Sequence, residues 1–204
     1  MKKDTTNDMT VGSPVSLIIK FMIPMCLGNL FQQFYNIADS VIVGKFLGPD
    51  ALAAVGASNS ITTLFVMVAI GTGIGCSVII SQLFGAGRMK DVKSSISTAL
   101  IAIFVFSLIL STIGFMLSGN ILKWMHTPSD VYEEADKYLK IYFLGFAFLF
   151  MYNAFNAVFN ALGDSAKPLV FLIFSSVLNI GLDILFVWKF ELGVAGAAWA
   201  TVIS

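Results

Sequence analysis

The sequence predicts an all-α protein built as a polytopic transmembrane helix bundle, with five complete helices and the start of a sixth. Three observations carry that prediction. Of 204 residues, 57% are hydrophobic and only 12% are charged, and the mean hydropathy is +0.88, more apolar than a water-exposed surface tolerates. Five apolar runs are long enough to cross about 30 Å of hydrocarbon at about 1.5 Å per residue. Short turn or charge signals, not linkers, separate the runs.

The runs cover roughly residues 15–43, 51–83, 94–117, 132–160 and 166–190, and a sixth opens near Gly193 and is cut off at Ser204. Their breaks are Gly48-Pro49-Asp50, Gly85-Ala86-Gly87-Arg88, His126-Thr127-Pro128-Ser129-Asp130, Gly163-Asp164 through Lys167-Pro168, and Lys189 with Glu191. Connections this short make consecutive helices antiparallel neighbours. Lys2 and Lys3 precede an apolar stretch from Leu17 to Val43, well beyond the roughly 7–15 residues of a signal-peptide core, so this stretch is a retained spanning helix. With the N-terminus inside, Lys2, Lys3, Lys20, Arg88, Lys90, Lys93 and Lys167 face the cytoplasm, against Lys45, Lys123, Lys137, Lys140 and Lys189 outside. That bias favours a cytoplasmic N-terminal segment, residues 1–14, followed by one inner-membrane domain, residues 15–204.

Several function classes fall away. Twelve basic residues balance twelve acidic ones, leaving no electrostatic footprint for nucleic acid. Cys26 and Cys76 sit inside apolar runs and His126 in a polar connection, so neither a disulfide framework nor a zinc site is expected. No Ser/His/Asp set or paired catalytic carboxylates occur, and the chain reads as a non-enzyme without an organic cofactor. Gly71-Thr72-Gly73-Ile74-Gly75 interrupts an apolar helix and lacks the Lys-Ser/Thr of a phosphate loop; close helix packing is its expected role, as for the small-residue run Gly193, Ala195, Gly196, Ala197 and Ala198.

Chemistry concentrates on acids and amides inside the helices. Asp39 lies in the first run and Asp183 in the fifth, each costing about 2.5–3.5 kcal/mol near a bilayer centre, which marks them as functional unless they merely reach an interface. Asn29, Gln32, Gln33 and Asn36 follow helical spacing toward Asp39 and Ser40. Asn153, Asn156 and Asn160 repeat it in the fourth run beside Tyr152, and Asn179 lies one turn before Asp183. Lipid cannot satisfy such groups, so the stripes should face one another or a water-filled cavity. Interhelical hydrogen bonding serves any single amide equally well. For the carboxylates in their company a cation or proton site is preferred, since burial favours the neutral acid and a bound cation the ionised form. Pro24 offers the first helix a place to bend, or a static kink.

These residues resemble the multidrug and toxic compound extrusion (MATE) family of secondary transporters. The resemblance rests on Asp8-Met9-Thr10-Val11-Gly12-Ser13-Pro14, Gly28-Asn29-Leu30-Phe31-Gln32-Gln33, Ala38-Asp39-Ser40-Val41-Ile42-Val43-Gly44 and Ala51-Leu52-Ala53-Ala54-Val55-Gly56. It continues through Ser81-Gln82-Leu83-Phe84-Gly85-Ala86-Gly87, Gly163-Asp164-Ser165-Ala166-Lys167-Pro168, Asn179-Ile180-Gly181-Leu182-Asp183 and Leu192-Gly193-Val194-Ala195-Gly196-Ala197-Ala198. It implies a twelve-helix protein of two six-helix halves that exports organic cations or drugs in exchange for sodium ions or protons. On that reading this chain is the N-terminal half, and its missing C-terminal half is a partner. The resemblance places the coupling site, and any bound sodium, at Asp39, Asn179 and Asp183, with Asn153 and Asn156 as companions. Gln32, Gln33, Asn36, Tyr152 and Asn160 would line the substrate cavity. The alternatives are a flippase for lipid-linked oligosaccharides, which basic cavity residues would favour, and a non-transporting membrane subunit.

Overall fold

The computed structural model describes residues 13–204; Lys2, Lys3 and all but the last two residues of the expected N-terminal segment lie outside the described residues. Helices α1 (Pro14–Leu47), α2 (Pro49–Gly85), α3 (Met89–Trp124), α4 (Ser129–Ala161) and α5 (Ala166–Asp183) follow in order. A π-helical turn, Ile184–Lys189, extends α5, and α6 (Val194–Ile203) closes the described chain. Five helices, counting α5 with its π turn, are long and apolar enough to cross a membrane, as the sequence predicts. Odd and even helices alternate in direction, because the turns are too short for anything else.

The helices outrun the apolar runs that announced them. In α3 the helix begins at Met89 and ends at Trp124, because the backbone ladder continues through polar flanks until a turn residue interrupts it. After α2, the Arg88 N–H donates to the Leu83 carbonyl and the Gly87 N–H to Phe84, both at 3.0 Å, with Gly87 at φ 70°. That wiring satisfies the last carbonyls of the helix and requires a left-handed residue. After α3 the same wiring is built on His126 at φ 55°, with the Thr127 N–H donating to Leu122; His126 is an exposed turn residue.

The fifth run departs from the expectation of one regular helix. Its α-helical ladder ends at Asp183 and widens into the π turn. The polar face of the run ends at Asp183 and residues 184–188 are wholly apolar, so periodicity carried no phase there from which a widened turn could be read.

Two cores hold the bundle. Between α2, α3 and α4, Phe143, Phe146 and Phe150 are buried with Leu139, Ile61 and Ile103. Their rings meet edge to face, Phe146 and Phe150 at 4.6 Å between centroids and Phe65 and Phe143 at 4.9 Å, the favoured geometry for aromatic quadrupoles. Phe143 lies directly over Gly114, where any side chain would collide with its ring. The second core joins α1, α2, α4, the π turn and α6 through Ile42, Val43, Val55, Tyr138, Val187, Val194, Ala197 and Ala198. Here the small residues of α6 let backbones approach: a Cβ on Gly196 would stand 3.1 Å from the Phe186 backbone. Of the Gly71–Gly75 run, only Gly73 packs closely, against Asn153 and Ala157 of α4, while Gly71 and Gly75 face open space. Ile101 and Met116 of α3 are exposed, as a lipid-facing surface requires.

Gly114→Leu is expected to cost about 1–3 kcal/mol by overpacking Phe143, whereas Gly71→Ala should leave stability unchanged or slightly raised, since its Cβ meets nothing. Thermal unfolding of the two purified variants in detergent distinguishes them; equal melting temperatures would refute the packing role of Gly114.

Candidate functional site

Helix α1 carries two polar faces, not the single stripe the sequence suggested. Gln32, Tyr35 and Asp39 are half-buried and stand in line with buried Val43, whereas Asn29, Gln33, Asn36 and Ser40 are exposed. Neighbouring residues on a helix diverge by about 100°, so a stripe with i, i+3, i+4 spacing is wide enough to straddle the edge of a bundle. Asn36 and Ser40 border an open groove between α1 and α2, and the Ser40 hydroxyl donates to its own helix at the Asn36 carbonyl, 2.9 Å.

The inward face of α1 meets α5. The Asp39 and Asp183 carboxyl groups are neighbours across the α1–α5 contact, and Asp183 and Asn179 are wholly buried. Both Asp183 oxygens, both amide atoms of Asn179 and Asp39 Oδ1 are buried without a hydrogen-bond donor or acceptor opposite. Two ionised carboxylates have no donor to offer each other; a shared proton or a bound cation satisfies them.

Aromatic and hydroxyl groups that the sequence reading passed over complete the surroundings. Tyr35 donates to Thr201 Oγ1 of α6 at 3.5 Å, and Thr201 donates onward to the Ala197 carbonyl at 3.0 Å. From α4, Tyr138 and Tyr142 stack at 6.3 Å with an 18° interplanar angle, and Tyr35 and Tyr138 both lie within electrostatic range of the two carboxyls. The signal for Tyr35 was available, since it stands one turn before Asp39 on the same face. Nothing in sequence singled out Tyr138, Tyr142 or Thr201, which lie on elements whose facing depends on tertiary packing.

Asn153 and Asn156 do not join this cluster. Helix α4 runs antiparallel to α5, so its first half is level with Asp183, and Asn153 lies about 16 Å beyond Tyr142 along the axis. The Asn153 amide donates to its own helix at the Leu149 carbonyl, 2.9 Å, and Asn160 donates to Asn156 Oδ1 at 3.0 Å. Tyr152 and Asn156 instead line an apolar cleft of about 320 Å³ with Phe155, Phe159, Pro168 and Phe171. Asn156 therefore belongs to a separate cleft near the start of α5, while Asn153 packs against Gly73 of α2.

Five helices of spanning length and buried, unpartnered carboxyl and amide atoms define a multi-pass membrane protein with a polar interior site. Comparison with known proteins specifies which. The MatE family model matches residues 24–185, and the chain belongs to the MatE family. It is 36% identical to the probable multidrug resistance protein YpnP of Bacillus subtilis (strain 168) over 97% of this chain and 44% of that protein. Among solved structures, a MOP superfamily transporter from Pyrococcus furiosus, whose reversed binding-pocket polarity suggests a different function, superposes with a TM-score of 0.91. Identity is 27%, covering 98% of this chain and 45% of that one. An outward-facing multidrug resistance MATE family transporter gives a TM-score of 0.89 at 28% identity, covering 94% of this chain and 42% of that one. The chain thus spans less than half the length of the relatives it matches.

Burying both carboxyls without partners costs stability, about 1–3 kcal/mol for each unsatisfied group. Asp183→Asn supplies an amide donor to Asp39 and should raise the melting temperature of the detergent-purified protein measured without added cation. A fall in melting temperature would mean that the pair is already satisfied.

Proposed function

We propose that this chain carries the N-terminal half of a secondary active exporter that moves organic cations or drugs outward against inward-moving sodium ions or protons. The observation that carries the reading is the facing pair, Asp39 and Asp183, buried with the unpartnered amide of Asn179. Carboxylate and amide oxygens suit a hard cation such as sodium, and the same carboxyls suit a proton, so one site serves either coupling ion. Family membership and the name of the Bacillus subtilis relative support drug export. The acids and amides of the interior support a cationic cargo over the anionic one that a basic cavity would suit. A second half of similar size, supplied by the remainder of a longer chain or another polypeptide, completes the pathway. The family placement supports a carrier over an enzyme and does not favour the oligosaccharide flippase.

The cycle follows from competition. An ion or proton entering from outside occupies the pair and satisfies its oxygens; the occupied and vacant forms then differ in the charge buried between α1 and α5. A cation cargo and the coupling ion favour opposite states, which links their movements.

Fluorescent-cation efflux from vesicles of the complete transporter, driven by an imposed sodium or proton gradient, tests this. Asp183→Asn keeps the shape and removes the titrating charge, so gradient-driven efflux is expected to fall to background at matched expression. Asn179→Ala removes a neutral ligand, so it should weaken ion affinity roughly tenfold while exchange persists. Undiminished efflux by Asp183→Asn would show that this carboxyl is structural.

We infer also that the N-terminus is cytoplasmic in an inner membrane, from the basic residues Arg88, Lys90, Lys93 and Lys167 on that side. In a protein whose Cys26 and Cys76 have been replaced, a thiol at Lys90 should resist an impermeant outside reagent and one at Asp130 should react. The reverse pattern overturns the orientation.

A further inference from the structure

Helices α1 and α5 run parallel, because four reversals of direction separate them, and they lie side by side in one register. Phe21 is opposite Ser165, Gly28 is opposite Leu172 and Asp39 is opposite Asp183, each pair 144 residues apart. Contact at Gly28 is close: a Cβ there would stand 3.7 Å from Leu172 and 3.9 Å from Leu169. Apolar packing of this kind tolerates axial sliding, since one leucine can exchange for another along the groove. Carboxyl pairing does not tolerate it. A slip of one residue, about 1.5 Å along the axis, moves the two carboxyls off each other's level and lengthens any bond or ion contact between them.

One directional contact fixes the register at the opposite end. The Ser165 hydroxyl donates to the Phe21 carbonyl at 2.9 Å, and Ser165 is buried, at 7% exposure. Phe21 lies beside Pro24, which has no N–H, so the α1 ladder loses the donor to the Lys20 carbonyl at this point. The carbonyl left free is that of Lys20, whereas the Phe21 carbonyl, one turn before Pro24, takes the Ser165 hydroxyl on its second lone pair. Ser165 is itself held. Asp164 accepts from the Lys167 N–H at 3.2 Å and pairs with Lys167 Nζ at 2.7 Å, which fixes the first turn of α5. Burial pushes the Asp164 carboxyl up, but the hydrogen bonds and charge of Lys167 outweigh it and hold the group below its usual range, so this clamp persists at neutral pH. From Phe21 to Asp39 and from Ser165 to Asp183 the helices then measure out equal lengths, about 27 Å.

We propose that Ser165 is a positioning residue for the carboxyl pair: its hydrogen bond to Phe21 sets the axial register of α1 against α5, which brings Asp39 level with Asp183. The proposal rests on the reading of that pair as the ion-coupling site, and its test separates the two.

The complete transporter, with Cys26 and Cys76 replaced, receives Gly28→Cys with either Leu172→Cys, in register, or Ser176→Cys, one turn out of register. A short bifunctional thiol reagent then reports register without reference to transport. Ser165→Ala is expected to lower the ratio of in-register to out-of-register cross-linking about threefold to tenfold, as loss of a single hydrogen bond allows. In the transporter without the introduced thiols, it should raise the coupling-ion concentration for half-maximal efflux by a similar factor and leave the KM for the fluorescent cation unchanged. Ser165→Thr, which keeps the hydroxyl, should restore both. Unchanged cross-linking in Ser165→Ala, or an unchanged ion requirement where Asp183→Asn abolishes efflux, overturns the proposal, as does failure of Ser165→Thr to restore either. If Asp183→Asn itself retains gradient-driven efflux, the coupling-site reading fails, and the cross-linking ratio alone then judges whether Ser165 sets the register.

Discussion

Two carboxyl groups facing each other inside a membrane bundle are the constraint to which the rest of this structure answers. Hydrocarbon offers no hydrogen bonds, so an acid within a spanning helix must be met by protein, water or an ion. Asp39 and Asp183 are brought together by the neighbouring of α1 and α5, with Tyr138 of α4 in electrostatic range of both and Tyr35 of α1 tied to Thr201 of α6. The π turn starts immediately after Asp183, and such widened turns commonly sit beside functional residues because they rotate the following side chains out of helical phase.

The two cores divide stiffness between them. Interlocking aromatic rings join α2, α3 and α4 with no room at Gly114 for another atom, and the Ser58 hydroxyl bridges to the Ala54 and Ala135 carbonyls. Around the carboxyl pair the packing is of another kind: small residues on α6, a long Tyr35–Thr201 hydrogen bond of 3.5 Å and unsatisfied amide atoms on Asn179. A well-packed scaffold thus carries a locally unsatisfied site, the usual compromise between stability and activity. The relatives share the scaffold at high structural similarity. A shared fold does not by itself fix function, and the reversed pocket polarity of the Pyrococcus furiosus transporter suggests a different function for that protein.

Much of the fold was legible in the linear sequence because membrane burial leaves so few options. Apolar runs of spanning length must be helices, and connections as short as Gly48-Pro49 must join antiparallel neighbours. Asp39 and Asp183 stood out as candidates for the same reason, since a carboxyl in hydrocarbon is costly and must be met by protein, water or an ion. The α1 stripe was only half legible. Spacing showed that Gln32, Gln33 and Asn36 share a broad face, but not that the bundle's edge runs between Gln32 and Gln33.

What the sequence determined by itself, then, is the number and approximate position of the helices, the family and the identity of the two acids, all of which follow from local hydropathy and ordered motifs. Only the tertiary structure decided which residues keep those acids company. Helix α4 is polar at both levels, with Tyr138 and Tyr142 in its first half and Asn153, Asn156 and Asn160 in its second. Its antiparallel run sets Tyr138, not the amides, near the pair. Period and composition describe one helix at a time. Axial level and facing are relations between helices, set by directional contacts such as Ser165 to Phe21 that join residues far apart in the chain.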